Sequence, residues 1–236
     1  MSVPDAPWAI EVRGVTKSFD HRPVLRGADL RVAVGQTVAV LGANGSGKTT
    51  LLRVIATLSP PTRGTVALFG RPAGAGPEIR RRIGLVAHES LLYDNLTVEE
   101  NLRFFAGLYG LHADRVAAMM TQAVLGPVAR RRARVLSRGQ RQQVNLARAL
   151  LHNPDIVILD EPYTGLDVTA GERLTGMLRD EVRHGRTVVF TTHDLTEAHA
   201  LGAGTTVLLD GRLTEIMPSG SLDEARLSAW FREGRP

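Results

Sequence analysis

The sequence contains no cysteine, which excludes a disulfide framework. It also lacks any long apolar run. Stretches such as Ile156 to Leu159 and Val207 to Leu209 fall far short of the roughly 20 residues that a membrane-spanning helix needs, so transmembrane helices are excluded. Met1 to Trp8 has neither a basic leader nor an apolar segment, which predicts a cytosolic chain. Lysine is nearly missing: of 29 cationic residues only Lys17 and Lys48 are lysine, and the rest are arginine. A position that keeps lysine against this bias is a candidate for chemistry that needs a compact point charge. Aromatics are scarce at 5%, and none interleaves with the arginine runs Arg80 to Arg82 and Arg130 to Arg132. Without stacking platforms these runs read as solvated faces, and no nucleic-acid partner is expected.

What remains is an ordinary globular composition. The 236 residues are 43% hydrophobic and 22% charged, enough for one sizeable core, and the net charge of +5 favours an anionic partner. Short β-type segments at Ala9 to Val12, Leu30 to Val34 and Thr37 to Leu41, punctuated by Gly14, Gly27 and Gly35, make the start strand-rich. From Thr49 the spacing of Leu51, Leu52, Ile55 and Leu58 predicts a helix that Pro60-Pro61 ends, before a short strand at Thr65 to Phe69. Residues 97 to 150 read as helical, opened by the capping box Thr97 to Glu100 with Leu102, Phe105 and Leu108 on one face. Beyond them, strands at Ile156 to Leu159, Thr187 to Thr191 and Thr205 to Leu209 flank a helix carrying Leu174, Met177, Leu178 and Val182. Such alternation predicts an α/β fold with a parallel sheet covered on both faces. An Asp210-Gly211 hairpin turn and a terminal helix over Ser221 to Phe231 complete the chain.

Three segments carry chemistry. Gly42, Ala43, Asn44, Gly45, Ser46, Gly47, Lys48 and Thr49, followed by Thr50, fit the phosphate-loop pattern directly between a strand and a helix. The glycines let backbone amides turn around a β-phosphate, and the helix start adds about half a positive charge. Lys48 then reaches the β- and γ-phosphates of ATP, and the Thr49 hydroxyl is a ligand for Mg²⁺. The apolar strand Ile156 to Leu159 ends in Asp160 and Glu161, an arrangement that suits Asp160 to the Mg²⁺ shell and Glu161 to polarising the attacking water. Ser137, Arg138, Gly139 and Gln140 open a helix, with Ser137 and Gln140 at capping-box spacing; a capped helix start is also a phosphate site.

In that order, the phosphate loop, Leu136 to Gln140 and the Asp160-Glu161 strand resemble the nucleotide-binding subunit of an ABC transporter over nearly the whole chain. The resemblance implies one ATPase domain over residues 1–236. Its parts are a phosphate-loop (RecA-like) core with a parallel sheet, an N-terminal antiparallel β-subdomain at 1–36 and 62–75, and an inserted α-helical subdomain at about 89–152. It implies further site residues: Phe19 stacking on adenine, Asp167 in the segment Thr164 to Asp167, and His193 as the switch histidine. It also implies a head-to-tail homodimer in which one copy's phosphate loop meets the other's Ser137, Arg138 and Gly139, and an integral-membrane permease as partner. The chain would then sit in the cytoplasm, peripheral on the inner face of the membrane.

Two positions depart from the family pattern. His88 stands where a glutamine is usual, giving that site a group whose charge follows pH near neutrality, and Arg138 stands where a glycine is usual. His88 and Tyr163 make the chain similar to the ATPase of the haem exporter used in cytochrome c maturation. The seven histidines show no metal-ligand spacing, so cargo is expected to pass through the partner, with no direct haem binding. A drug or lipid exporter ATPase, a soluble nucleic-acid-associated ABC ATPase and a phosphate-loop kinase or GTPase stay open as alternatives.

Overall fold

The computed structural model describes residues 8–233; the expectation for Met1 to Trp8 and the first residues of the expected β-subdomain, 1–7, fall outside them but for Trp8. Strands β1 (Trp8–Phe19), β2 (Arg22–Ala33), β4 (Arg63–Leu68) and β5 (Arg71–Pro72) form an antiparallel sheet in the order β2-β1-β4-β5. A second sheet runs β10-β9-β3-β8-β7-β6, built from β3 (Thr37–Leu41), β6 (Ile83–Val86), β7 (Ile156–Leu159), β8 (Thr187–Thr192), β9 (Gly204–Leu209) and β10 (Arg212–Leu213). Its five strands from β9 to β6 are parallel, and only the edge pair β9–β10 is antiparallel. The helices are α1 (Lys48–Ile55), α2 (Pro77–Arg80), α3 (Val98–Tyr109), α4 (Ala113–Gln122), α5 (Arg138–Leu150), α6 (Val168–Arg183), α7 (Leu195–Ala200) and α8 (Glu224–Glu233).

Each face of the parallel sheet closes a separate core. Ile156 and Ile158 pack with β1, β2, β4 and α1, while Val157 and Leu159, pointing the other way, pack with α3 to α6. All four β7 side chains are buried, so the strand reads as a continuous apolar run instead of an alternating one. The register aligns Leu41 with Thr192, Phe190 with Leu159, and Leu159 with Val86. The loops that follow these four strands therefore emerge side by side at one edge of the sheet. They carry the phosphate loop, His193, Asp160-Glu161 and His88, on the side where open α/β sheets bind ligands.

Several local expectations needed correction. Gly14 and Gly27 lie inside long strands at positive φ, where register shifts absorb them; the hairpin turns instead at Asp20 and His21, both at positive φ. Helix α1 ends at Ile55, before Pro60, in a Schellman arrangement: Thr57 N donates to Val54 O and Leu58 N to Arg53 O. Thr57 holds the left-handed position usually given to glycine, at φ 62°, and Leu58 is exposed. Leu108 is also exposed, because six residues of helix rotate it about 120° away from buried Leu102. The Asp210-Gly211 turn joins β9 to β10 with both residues at positive φ, as the sequence suggests.

His152 closes the seam between α5 and β6. Its ring stacks on Tyr109 at 4.0 Å, and Nε2 faces Ile83 O at 3.0 Å. Burial, aided by Arg148, Arg115 and Arg186 and opposed by the Ile83 bond, pushes the imidazole down to about 4. The unfolded chain therefore binds a proton near pH 6.5 that the folded chain refuses until about 4. Stability from this group is complete above pH 6.5 and is lost as pH falls through that window. The expected result is a falling urea midpoint between pH 7 and 5, with a smaller fall for His152→Phe, which keeps the ring stack and cannot titrate.

Candidate functional site

The loop after β3 folds as a cradle. Gly45 and Gly47 hold positive φ, and α1 starts without a side-chain cap or an acidic residue in its first turn, so its first amides are open to an anion. Ser46 Oγ is buried with no hydrogen-bond partner among the described residues, as expected of a group that waits for a ligand. A concavity of about 310 Å³ opens here, lined by Val24, Asn44, Gly45, Gly47, Lys48, Thr49, Thr50 and Glu161. Ala43, next to Asn44 in the chain, is exposed. Val24 escaped sequence reading; its Cγ1 is 2.9 Å from where a Cβ on Gly47 would stand, so the loop cannot carry a larger residue there.

Lys48 is buried at 5% exposure with its ammonium fully engaged. It donates to Gly42 O at 2.8 Å and Ala43 O at 3.2 Å, and pairs with Glu161 Oε1 at 3.1 Å. The two carboxylates after β7 are held differently. Asp160 is buried and accepts from Thr191 Oγ1 at 2.8 Å. Glu161 sits at φ 46°, a conformation that costs an L-residue about 1–2 kcal/mol, fastened by its amide to Thr191 Oγ1 at 2.8 Å. Thr191 therefore fixes both groups at once. The only sequence signal for it was a hydroxyl pair ending a strand whose middle, Val188 to Phe190, is apolar.

Burial alone would raise the Glu161 carboxyl. The bond to Lys48, its charge, the Thr164 hydroxyl at 3.2 Å and His193 outweigh burial and hold it below the usual carboxylate range. Glu161 is thus an anion at neutral pH, able to orient a water and accept its proton. His193 lies exposed beyond β8, close enough to act on the charge of both Glu161 and Glu197.

His88 lines a second cleft of about 180 Å³ with Asp160, Glu161, Thr164 and Arg138. Ser137, Gly139, Gln140 and Asp167 line a third, about 130 Å³, between the starts of α5 and α6. Ser137 and Gln140 form the expected reciprocal cap, and Asp167 caps α6 through Ala170 N at 2.8 Å. Within one chain these four residues lie outside the phosphate-loop concavity. Phe19, at the end of β1, is 47% exposed, with Lys17 Nζ over its ring at 5.1 Å from the centroid, an exposed aromatic side chain on the antiparallel sheet. Asn101 is a structural residue that sequence reading missed. Fully buried on α3, it accepts from Tyr93 N and donates to Tyr93 O, Leu96 O and Thr97 O, fastening the segment that follows His88.

Comparison with known proteins gives a consistent result. A family model described as ABC transporter matches residues 25–164. The ABC transporter ATP-binding protein NatA of Bacillus subtilis is 36% identical over 84% of this chain and 82% of its own length. The Fe(3+) ions import ATP-binding protein FbpC 3 of Rhodococcus jostii is 38% identical over 89% of this chain, which spans only 62% of that protein. The Nod factor export ATP-binding protein I of Cupriavidus pinatubonensis is 36% identical over 94% of this chain and 70% of its own length. Among solved structures, the ATP-binding cassette MJ0796, described as a dimer bound to ADP and Pi in a post-hydrolysis state, superposes with a TM-score of 0.81. It is 29% identical and covers 90% of this chain.

Proposed function

We propose, for a chain that belongs to the ABC transporter family and is an ATP-binding, ATP-hydrolysing subunit of it, that two copies bind two ATP molecules head to tail and drive a separate membrane permease. The observation that carries this reading is the Lys48–Glu161 pair inside the phosphate loop, with Asp160 and Thr191 behind it. Lys48 and the amides from Gly42 to Thr50 hold the β- and γ-phosphates, and Phe19 stacks on the base. The partner copy contributes Ser137, Arg138, Gly139 and Gln140, with Asp167 beside them; the separation of these residues from the phosphate loop within one chain supports a site shared between copies.

Nucleotide arrival takes Lys48 away from Glu161. The freed carboxylate then faces the attacking water, and His193 bonds the γ-phosphate. Thr49 and Asp160 fit a Mg²⁺ ion: both offer hard oxygen donors, and Asp160 keeps one carboxylate oxygen outside its bond to Thr191. When bound, such an ion would neutralise charge on the phosphates.

Among the described residues no helix is long and apolar enough to cross a membrane. In this reading the work on a membrane cargo passes through a separate permease, and the chain sits peripherally on the inner face of the membrane. The segment from His88 to Asn101 is its docking region: Leu91 and Tyr93 within it and Phe104 beside it are large and exposed, and Asn101 holds its backbone. In this reading residues 8–36 and 62–75 serve as the β-subdomain and about 89–152 as the helical subdomain.

The finer cargo reading is haem export for cytochrome c maturation, supported by His88 in the cleft beside Glu161 and by Tyr163. Purifying the tagged chain from detergent-solubilised host membranes, with mass spectrometry and a visible spectrum, tests it. A multispanning partner with a haem Soret band supports it. A multispanning partner without haem leaves a transporter ATPase of other cargo, and nucleic acid without a membrane chain overturns the transport reading.

A further inference from the structure

Arg138 replaces the small residue expected at the start of α5, and its side chain has a specific place in the fold. A Cβ built on Gly165 would stand 2.5 Å from Arg138 Nη1, 2.6 Å from Cζ and 2.9 Å from Nε. The guanidinium plane therefore lies flat on the one residue of that loop with no side chain. Gly139 is equally confined, with Ala170 Cβ 2.5 Å from its own missing Cβ, and Gln142 Nε2 donates to Pro162 O at 3.0 Å. One turn along α5, Arg141 is tied to Asp94 and Ala133 O; Arg138 has no such anchor among the described residues and spends its plane on Gly165. It also borders the cleft that holds Asp160, Glu161 and His88.

We propose that Arg138 is a positioning residue that clamps the loop Tyr163 to Asp167 against the start of α5, so that the two segments move as one body. The consequence rests on the two-copy reading above: both segments face the partner's nucleotide, and the clamp delivers them together. A planar, delocalised cation suits this packing, whereas a lysine ammonium would seek water instead. The glycine the family usually carries at position 138 would leave the loop free to shift alone.

The test uses the full chain as wild type, Arg138→Gly, Arg138→Lys, Gly165→Ala and the Arg138→Gly/Gly165→Ala double variant. Hydrogen exchange is read at Thr164 and Leu166, whose amides donate to Glu161 O and Tyr163 O in the nucleotide-free chain. Arg138→Gly is expected to raise exchange there about fivefold and to lower kcat about tenfold with KM within about twofold. Gly165→Ala ejects the guanidinium and also strains a backbone held at φ 69°, so it is expected to lose at least as much as Arg138→Gly, and the double variant to be no worse than Gly165→Ala alone. Unchanged exchange or unchanged kcat in Arg138→Gly overturns the proposal. So do multiplying losses in the double variant, or full recovery in Arg138→Lys. If exchange responds as expected but ATP fails to pair the copies, the clamp stands and the two-copy reading falls.

Discussion

Replacing Glu161 by glutamine is expected to lower ATP turnover by about 10²- to 10⁴-fold, the usual contribution of a positioned general base. ATP binding is expected to tighten. In the nucleotide-free chain Glu161 is the counter-ion of Lys48 at 3.1 Å, so a phosphate must displace a carboxylate before it reaches the ammonium. Glutamine keeps the shape and removes the competing charge. The gain is about two- to fivefold in affinity, the size of a modest ion pair. Fluorescent-nucleotide titration and phosphate release measure the two effects separately. Normal turnover by Glu161→Gln removes the base assignment; weaker ATP binding removes the competition between carboxylate and phosphate.

Lys48→Ala is expected to weaken ATP binding by about 10²-fold or more, through two lost charge-assisted contacts to phosphate. The structure adds a second cost. Lys48 also donates to Gly42 O and Ala43 O, so alanine leaves the floor of the loop without the donor that draws its carbonyls inward. Glu161 then loses its largest opposing influence against burial and its carboxyl rises toward the usual range. Lys48→Arg is no substitute, because a planar fork does not fit a slot that buries the ammonium at 5% exposure. Calorimetric titration with ATP measures the loss, and affinity within twofold of wild type contradicts the role of Lys48.

The chemistry-bearing segments were legible because each joins a local signal to a forced context. A glycine loop between a buried strand and a helix, or two carboxylates ending the apolar run Ile156 to Leu159, leaves few physical alternatives. The capping boxes at Thr97 and Ser137 were equally plain, since their spacing alone fixes their geometry. What was hidden depends on register or on atypical residues. Thr191 matters because β8 lies beside β7 and aims its hydroxyl at both Asp160 and the Glu161 amide, a relation no single segment encodes. Thr57 ends α1 in a conformation that glycine normally signals, so the sequence places the helix stop only at Pro60. Gly14 and Gly27 looked like breaks because bulges, unlike turns, leave no mark beyond the glycine itself. The contact of Arg138 with Gly165 was invisible for a similar reason: the residues are far apart in sequence, and only the packing of α5 beside the β7–α6 loop brings them together.

Light scattering of Glu161→Gln with and without ATP tests the central claim, a catalytic site shared by two copies. ATP is predicted to double the mass from the 25.5 kDa of one chain, and adding Ser137→Arg, which places a bulky side chain where the partner's phosphate must sit, is predicted to return it to that of one chain. A mass that ignores ATP, or a doubled mass that ignores Ser137→Arg, contradicts it.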